Sequence, residues 1–276
     1  MIKHSLISIS RVKTNKKHFL LVVICSLVFV QAKSQVTTNK TDEKGKKQGL
    51  WIKLDDDKKK LYEGNFVDNI PVGKFIYYYD DGKPWSVSIF SNNGTVTHSQ
   101  MFDAAGKVVG EGKYINQKKD SIWKYYDHKG NLISDENYIN GIRNGVSRVY
   151  YPNGQLVEEK HWKGGQLDGS CKKYFNTGQI RYEGQHINGK VEGNVKFYYP
   201  NGKVNAEGLY VNDLKDGSWK YYKQDGTPDR TDKYINGRLQ GDDPNIIPRE
   251  QEEKEKKQYE QEEIVDPYGD ENMPRR

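Results

Sequence analysis

The chain has 276 residues, of which 34% are hydrophobic and 30% charged, and its mean hydropathy is −0.96. A thick globular core needs more aliphatic residues than this, whereas 20 tyrosines, 5 tryptophans and 27 glycines are too many aromatic and turn-forming residues for a disordered chain. The composition excludes both extremes and favours a thin β-structure with half-exposed aromatic side chains and repeated glycine turns.

The N-terminal 34 residues have the features of a signal peptide. Residues 1–18 contain basic residues and no acidic one, and the apolar run Phe19–Val30 that follows is short for a bilayer span. Ala32 and Ser34 then place small residues at the two positions that a signal peptidase reads. We expect cleavage after Ser34 and export to the periplasm, the outer surface or the medium. The alternative is an uncleaved anchor; after cleavage, membrane association is not required.

Signal cleavage changes what the net charge means. Six of the 44 basic residues and none of the 38 acidic residues lie in residues 1–34, so the formal charge of +6 belongs to that segment and the mature chain is neutral. The sequence therefore gives no support for nucleic-acid binding. Cleavage also leaves Cys171 as the single cysteine, which excludes an intramolecular disulfide and a cysteine-based metal site.

After a linker at residues 35–44, a 24-residue period organises residues 45–241 into eight units. One glycine series begins at Gly49 and Gly73 and is interrupted by Thr97 and Ser121. A second glycine series and a tyrosine series have the same spacing: Gly82, Gly106, Gly130, Gly154, Gly178, Gly202 and Gly226, and Tyr126, Tyr150, Tyr174, Tyr198 and Tyr222. We interpret the second glycine series, from Gly130 to Gly226 in particular, as structural turn residues.

Each unit predicts a β-hairpin. Asn153-Gly154 is a signal for a two-residue type I′ turn, which places Arg148 opposite Glu159 and Tyr150 opposite Val157. The same register puts lysine or arginine opposite an acidic residue in four of five successive units, and such pairs fix the register of strands that have little core. Hairpins that follow one another without a break predict an all-β fold, an elongated single-layer antiparallel sheet of about 16 strands.

Several units resemble a known repeat family. The segments DGSWKYYKQDG (216–226), EGNVKFYYPNG (192–202) and YINGxxNG (138–145) are similar to the MORN repeat variant, as found in bacterial proteins labelled YwqK-family antitoxins. The resemblance implies the hairpin fold over residues 45–241 and a scaffold that faces proteins or lipids. In that family catalysis belongs to an attached domain, and we expect no such domain here.

Residues 242–276 contain no repeat. They hold 12 acidic and six basic residues, and the stretch 249–263 could form a short charged helix without a sustained apolar stripe. We predict a mostly disordered charged tail.

The sequence does not predict an enzyme. The histidines beyond the signal peptide are His98, His128, His161 and His186, in four different repeats, and the acidic series is paired with lysine and arginine. Neither a metal-binding motif nor the unpaired carboxylates of general acid–base catalysis are evident. We therefore expect no catalytic residue, metal or cofactor.

The tyrosine series from Tyr126 to Tyr222 is the candidate binding surface, on the face of the charge pairs. The leading hypothesis is an exported scaffold that binds a protein partner along the sheet. The alternatives are glycan or cell-wall binding through the aromatic ladders, and an antitoxin-like protein that neutralises a toxin. Asp120-Ser121-Ile122 also matches a short O-glycosylation pattern, which makes Ser121 a candidate modification site.

Overall fold

The computed structural model describes residues 37–241, so the predicted signal peptide (1–34) and charged tail (242–276) lie outside the described residues. The described part is all-β, with these strands: β1 (Lys40–Thr41), β2 (Lys47–Leu54), β3 (Lys60–Val67), β4 (Ile70–Tyr78), β5 (Pro84–Ser91), β6 (Val96–Phe102), β7 (Val108–Ile115), β8 (Lys118–Tyr126), β9 (Leu132–Ile139), β10 (Ile142–Tyr150), β11 (Leu156–Lys163), β12 (Gln166–Tyr174), β13 (Ile180–Ile187), β14 (Lys190–Val191), β15 (Gly193–Tyr198), β16 (Val204–Val211), β17 (Leu214–Tyr222), β18 (Pro228–Ile235) and β19 (Arg238–Leu239). Between residues 37 and 241 no helix is long and apolar enough to cross a membrane.

The strands form one open antiparallel sheet in chain order. Each strand pairs with the strand before and the strand after it, and β13 pairs with both β14 and β15, which are two parts of one interrupted strand. The predicted single-layer hairpin array is therefore confirmed. A meander of this kind has few long-range constraints, so each hairpin is held mainly by its two neighbours.

The turns at the two rims of the sheet differ. At one rim, two-residue turns such as Asn140-Gly141 have positive φ at both positions, 53° and 84°. This is the type I′ geometry, which asparagine and glycine tolerate because the left-handed region costs them little. The connection between hairpins is therefore short, since β10 already begins at Ile142.

At the opposite rim the predicted type I′ turn at Asn153-Gly154 is wrong. The Gly154 amide donates to the Tyr151 carbonyl, and the Tyr151 amide to the Gln155 carbonyl, both at 2.8 Å. Only Gly154 in this loop has a positive φ, 82°, so the loop is a three-residue type I turn closed by a glycine bulge. Pro152 suits this turn, because a φ fixed near −65° fits the first central position of a type I turn, and because proline has no N–H for the closing pair of a type I′ turn at Asn153-Gly154.

The bulge changes the register near the turn only. Tyr150 pairs with Leu156 and not with Val157, whereas Arg148 pairs with Glu159 as predicted. The predicted turn glycines occupy the left-handed bulge position in their loops, with φ between 81° and 89° at Gly130, Gly154, Gly178, Gly202 and Gly226.

The first glycine series forms a second kind of bulge, inside the strands. Gly73 and Gly217 have positive φ, and Ser121 takes the same conformation with φ of 60°. Thr97 does not: it pairs with Phe90 and Tyr114 in an unshifted ladder. A β-branched residue resists the left-handed region, and the extra residue of this repeat lies instead in the preceding turn, where residues 92, 93 and 94 all have positive φ.

The charge pairs predicted within hairpins are confirmed, and the same residues also pair between neighbouring hairpins. The acidic residues also pair with the cation of the following hairpin, so one row of ten alternating charges crosses consecutive strands: Glu111, Lys124, Asp135, Arg148, Glu159, Lys172, Glu183, Lys196, Glu207 and Lys220. Opposite charges on adjacent strands stabilise each pairing by about 0.2–1 kcal/mol. We call the face that carries this row the ladder face.

The opposite face, which we call the aromatic face, carries the core. Its most buried side chains are Phe75, Trp123, Cys171, Val195 and Trp219, each at most 2% exposed. They lie at one repeat position, so the core is a line of side chains along a single layer. Because no second layer covers this line in residues 37–241, aromatic neighbours on the same face shield it from water.

Candidate functional site

The predicted binding tyrosines lie on the ladder face, as expected, but their hydroxyls are engaged by the sheet itself. Tyr126 donates to Glu111 at 2.7 Å, and Tyr222 donates to Glu207 at 2.9 Å. Tyr150 and Tyr198 make the same bond to Asp135 and Glu183, and Tyr174 lies beside Glu159. In each of these four bonds the acceptor is 15 residues earlier in the chain, on the preceding strand.

These bonds shift the acid–base properties of both partners. Burial and the bond to the carboxylate raise the pKa of Tyr126, Tyr150 and Tyr198 to about 12. The Tyr126 hydroxyl, together with Gln100, lowers the pKa of the Glu111 carboxyl below its usual value. At neutral pH the Tyr126 hydroxyl therefore remains a neutral donor and the Glu111 carboxylate an ionised acceptor, an arrangement that stabilises the ladder.

The aromatic face is built from ring-over-glycine pairs. A Cβ atom added to Gly64, Gly112 or Gly208 would lie 2.3–2.4 Å from the ring of Phe75, Trp123 or Trp219 on the neighbouring strand. Only glycine permits this approach. Above the rings lie cations: the Nζ atoms of Lys119 and Lys215 are 5.2 Å and 4.8 Å from the ring centroids of Trp123 and Trp219. Each tryptophan is thus packed below by backbone and above by a lysine.

Two adjoining clefts open on the aromatic face over strands β3–β7. One has a volume of about 560 Å³ and the other about 500 Å³, and both are lined by Tyr62, Tyr77, Phe90 and Gln117. Trp85 contributes to the second cleft, with its ring 5.5 Å from that of Tyr77. These volumes are in the ~300–1,000 Å³ range of sites that bind small molecules or side chains.

A third cleft, of about 390 Å³, lies further along the same face and is polar. Glu136 accepts a hydrogen bond from Arg143 at 2.7 Å and another from the Tyr138 hydroxyl. The guanidinium of Arg143 lies 5.1 Å from the ring centroid of Trp162. Because its charges are paired with each other, this cleft offers fewer free groups to a ligand than its number of ionisable residues suggests.

Cys171, His186 and Ser121 lie apart from these three clefts. Cys171 is buried, and burial raises the pKa of its thiol to about 11. The buried Nδ1 of His186 has no hydrogen-bond partner, and burial lowers the pKa of this imidazole. No group of three or more His, Cys, Asp or Glu side chains that could hold a metal ion occurs within residues 37–241. Ser121 is exposed, its hydroxyl donating to Asp120 at 3.0 Å, and its glycosylation stays a prediction.

Sequence reasoning missed the clefts of the aromatic face. The floor of the cleft of about 500 Å³ is formed by Ser86, Ser88, Thr97 and Ser99, which are buried. The available signal was that this repeat has Ser99 at the position where the repeats before and after it have the rings of Phe75 and Trp123. The pattern showed a missing ring, but only the pairing of Ser88 with Ser99 shows that the space is left open.

Comparisons with known proteins identify the repeat. No curated protein matches the chain by sequence. Among solved structures, a crystal structure of TarM is similar over 32% of this chain and 18% of that chain, with 15% identity and a TM-score of 0.26. A mutant of S. aureus TarM in complex with fondaparinux, alpha-GlcNAc-glycerol and UDP is similar over 35% and 19%, with 13% identity and a TM-score of 0.28. This chain thus spans less than a fifth of either protein.

The profile of the MORN repeat variant matches five segments, residues 71–94, 119–140, 143–163, 167–188 and 191–212. The matched segments coincide with hairpins of the sheet, and the unmatched residues 95–118 between them are the repeat that contains Ser99. The spacing, the hairpin geometry and the profile agree, and the chain belongs to the MORN repeat variant family.

Proposed function

We propose that the protein is a non-catalytic, exported scaffold that binds an extended segment of a protein partner along the aromatic face. The observation that carries the proposal is the pair of adjoining clefts over β3–β7, of about 560 and 500 Å³, on a sheet whose other face uses its tyrosine hydroxyls internally. Hairpin repeats provide a continuous surface for an extended ligand. The predicted signal peptide supports a partner in the cell envelope.

Capture of partners from envelope fractions tests the proposal. Trp85→Ala removes a ring from the cleft, and Tyr150→Ala removes a ring of the ladder face as a matched control. We expect the first variant to lose a partner that wild type and the second variant recover. Equal recovery of every partner by wild type and Trp85→Ala contradicts the proposed face. N-terminal sequencing of the exported protein tests cleavage, for which we expect Gln35 as the first residue.

Glycan binding is the second candidate, because Tyr77 and Trp85 flank a cleft with a hydroxyl-bearing floor. Aromatic rings can stack on the apolar faces of sugars while hydroxyls exchange hydrogen bonds. Co-sedimentation with purified peptidoglycan and polysaccharides distinguishes the two candidates. Binding to one of these polymers that Trp85→Ala abolishes would favour the glycan, and the absence of co-sedimentation removes this candidate.

A further inference from the structure

One position in each repeat determines whether the aromatic face is filled. In the second repeat Phe75 lies between Phe66 and Phe90, with ring centroids 5.2 Å and 4.8 Å away. In the last repeat Trp219 lies in the same way beside Tyr210 and Tyr234, at 5.2 Å and 6.3 Å. In these repeats the chain supplies its own ring, and glycine on the preceding strand makes room for it.

The third repeat keeps the flanking rings and lacks the central one. Ser99 occupies the central position, and the residue opposite is Ser88 in place of glycine. Their hydroxyls are 2.7 Å apart and buried, and Phe90 and Tyr114 remain on either side of the opening. We call this space, the cleft of about 500 Å³ above Ser88 and Ser99, the Ser99 socket.

The Ser99 socket has the chemistry of a site for an aromatic side chain with a polar tip. Its walls hold rings in the edge-to-face geometry that aromatic pairs prefer, as the ring at Phe75 demonstrates with an interplanar angle of 66° to Phe90. Its floor is polar: the hydroxyls of Ser86, Ser88 and Ser99 are joined by two hydrogen bonds, and three hydroxyls with two bonds between them still have donor and acceptor capacity for a phenol or an indole. An aliphatic side chain would leave this capacity unused.

The charges around the socket indicate the character of the chain that bears this ring. On strands β2–β8 the charged side chains of the aromatic face are basic, namely Lys47, Lys53 and Lys119. The first carboxylate of this face is Glu136 on β9. A segment that lies across these strands is therefore attracted if it is acidic and repelled if it is basic.

We propose that the Ser99 socket binds a tyrosine or tryptophan side chain from an extended acidic segment of a protein partner, in the place that the neighbouring repeats fill with the rings of Phe75 and Trp123. The inference rests on the proposed function and adds the chemical class of the partner.

Titration of the full-length, isotope-labelled protein with short peptides tests the inference by NMR. The probe is acetyl-EEYEE-amide, and its controls are acetyl-EELEE-amide and acetyl-KKYKK-amide. We expect saturable shifts of the Ser88, Ser99 and Tyr114 amides with the first peptide, and at least about tenfold weaker binding of each control. Equal binding of the leucine or the lysine peptide overturns the inference.

A variant whose own side chain fills the Ser99 socket tests whether the peptide binds there. Ser88→Gly/Ser99→Trp rebuilds the ring-over-glycine pair, and His98→Trp adds the same side chain on the same strand but on the ladder face. We expect the double variant to lose peptide binding by at least about tenfold and the control to keep it. Ser99→Leu, a smaller obstruction, serves if the double variant does not fold. Unchanged binding in a folded, filled variant overturns the inference.

Three further outcomes distinguish the possible occupants and separate the inference from the proposed function. Peptide binding that is absent in the full-length protein but is gained in Tyr268→Ala assigns the socket to the chain's own tail and overturns its assignment to a partner. If wild type and the filled variant recover an envelope partner equally, the inference about the Ser99 socket is overturned and the scaffold proposal remains intact. Peptide binding at the socket without any captured envelope partner contradicts the proposed function alone.

Discussion

Gly208 and Trp219 should be strongly coupled, because the ring packs directly on the glycine backbone. A Cβ at Gly208 would lie 2.3 Å from Cδ2 of Trp219, where carbon atoms need about 3.5–4.0 Å. The ring is 1% exposed and its Nε1 donates to the Leu209 carbonyl at 3.1 Å, so it cannot move aside freely. We expect overpacking in Gly208→Ala to lower the free energy of unfolding by ~1–3 kcal/mol. The reduced entropy of the unfolded chain offsets ~0.4–1 kcal/mol of this loss.

The coupling can be measured with a double-mutant cycle. In a Trp219→Ser background the ring is absent, so Gly208→Ala should become neutral or stabilising, which gives an interaction energy of about 1–3 kcal/mol. The assay is hydrogen exchange of the β16–β17 amides, since local opening is better defined than global unfolding in a repeat array.

Gly110→Ala is the matched control for this cycle. Its nearest contact would be the flexible end of Met101, at 2.6 Å, and we expect a cost below about 1 kcal/mol. Equal effects of Gly208→Ala in both backgrounds would refute the ring-over-glycine argument.

Three other predictions concern the ladder and the bulges. Tyr150→Phe should lower the free energy of opening of β9–β10 by about 1 kcal/mol, measured by hydrogen exchange, because the half-buried bond to Asp135 is lost; no change would mean that water replaces the hydroxyl without cost. Ser121→Gly should raise thermal stability by about 1 kcal/mol because Ser121 has a φ of 60°, whereas Thr97→Gly should lower it because Thr97 is extended; thermal denaturation with the opposite order would contradict the bulge assignment. The pKa of Glu111 is lowered on folding, so its contribution is present above the unfolded value of 4.5 and is lost as pH falls through the folded value. Exchange protection of β7–β8 should therefore decrease below about pH 4.5, and Glu111→Gln should reduce this dependence; an unchanged profile in that variant would assign the effect elsewhere.

Much of the ladder face could be read from the sequence, and the aromatic face could not. Arg148 opposite Glu159 follows from counting outward from one turn, because side chains alternate and the repeat fixes the spacing. The continuation of the charge row from Glu159 to Lys172 requires the pairing between hairpins, which depends on the length of the turn at Gly164-Gly165. The error at Asn153-Gly154 arises because the Asn-Gly signal does not say which residues are central: the structure has Pro152 and Asn153 at the two central positions and Gly154 at the bulge.

The sequence by itself determined the 24-residue unit, the hairpin, the single-layer sheet and the self-paired charges, because these depend on local periodicity and on contacts between neighbouring strands. Only the tertiary structure decided what the tyrosine hydroxyls bind, where the extra residue of the Thr97 repeat lies, and that Ser88 and Ser99 leave a space between two rings. The reason is physical: whether a missing side chain leaves a cavity depends on whether its neighbours on the adjacent strands close over it, and sequence spacing alone does not carry that information.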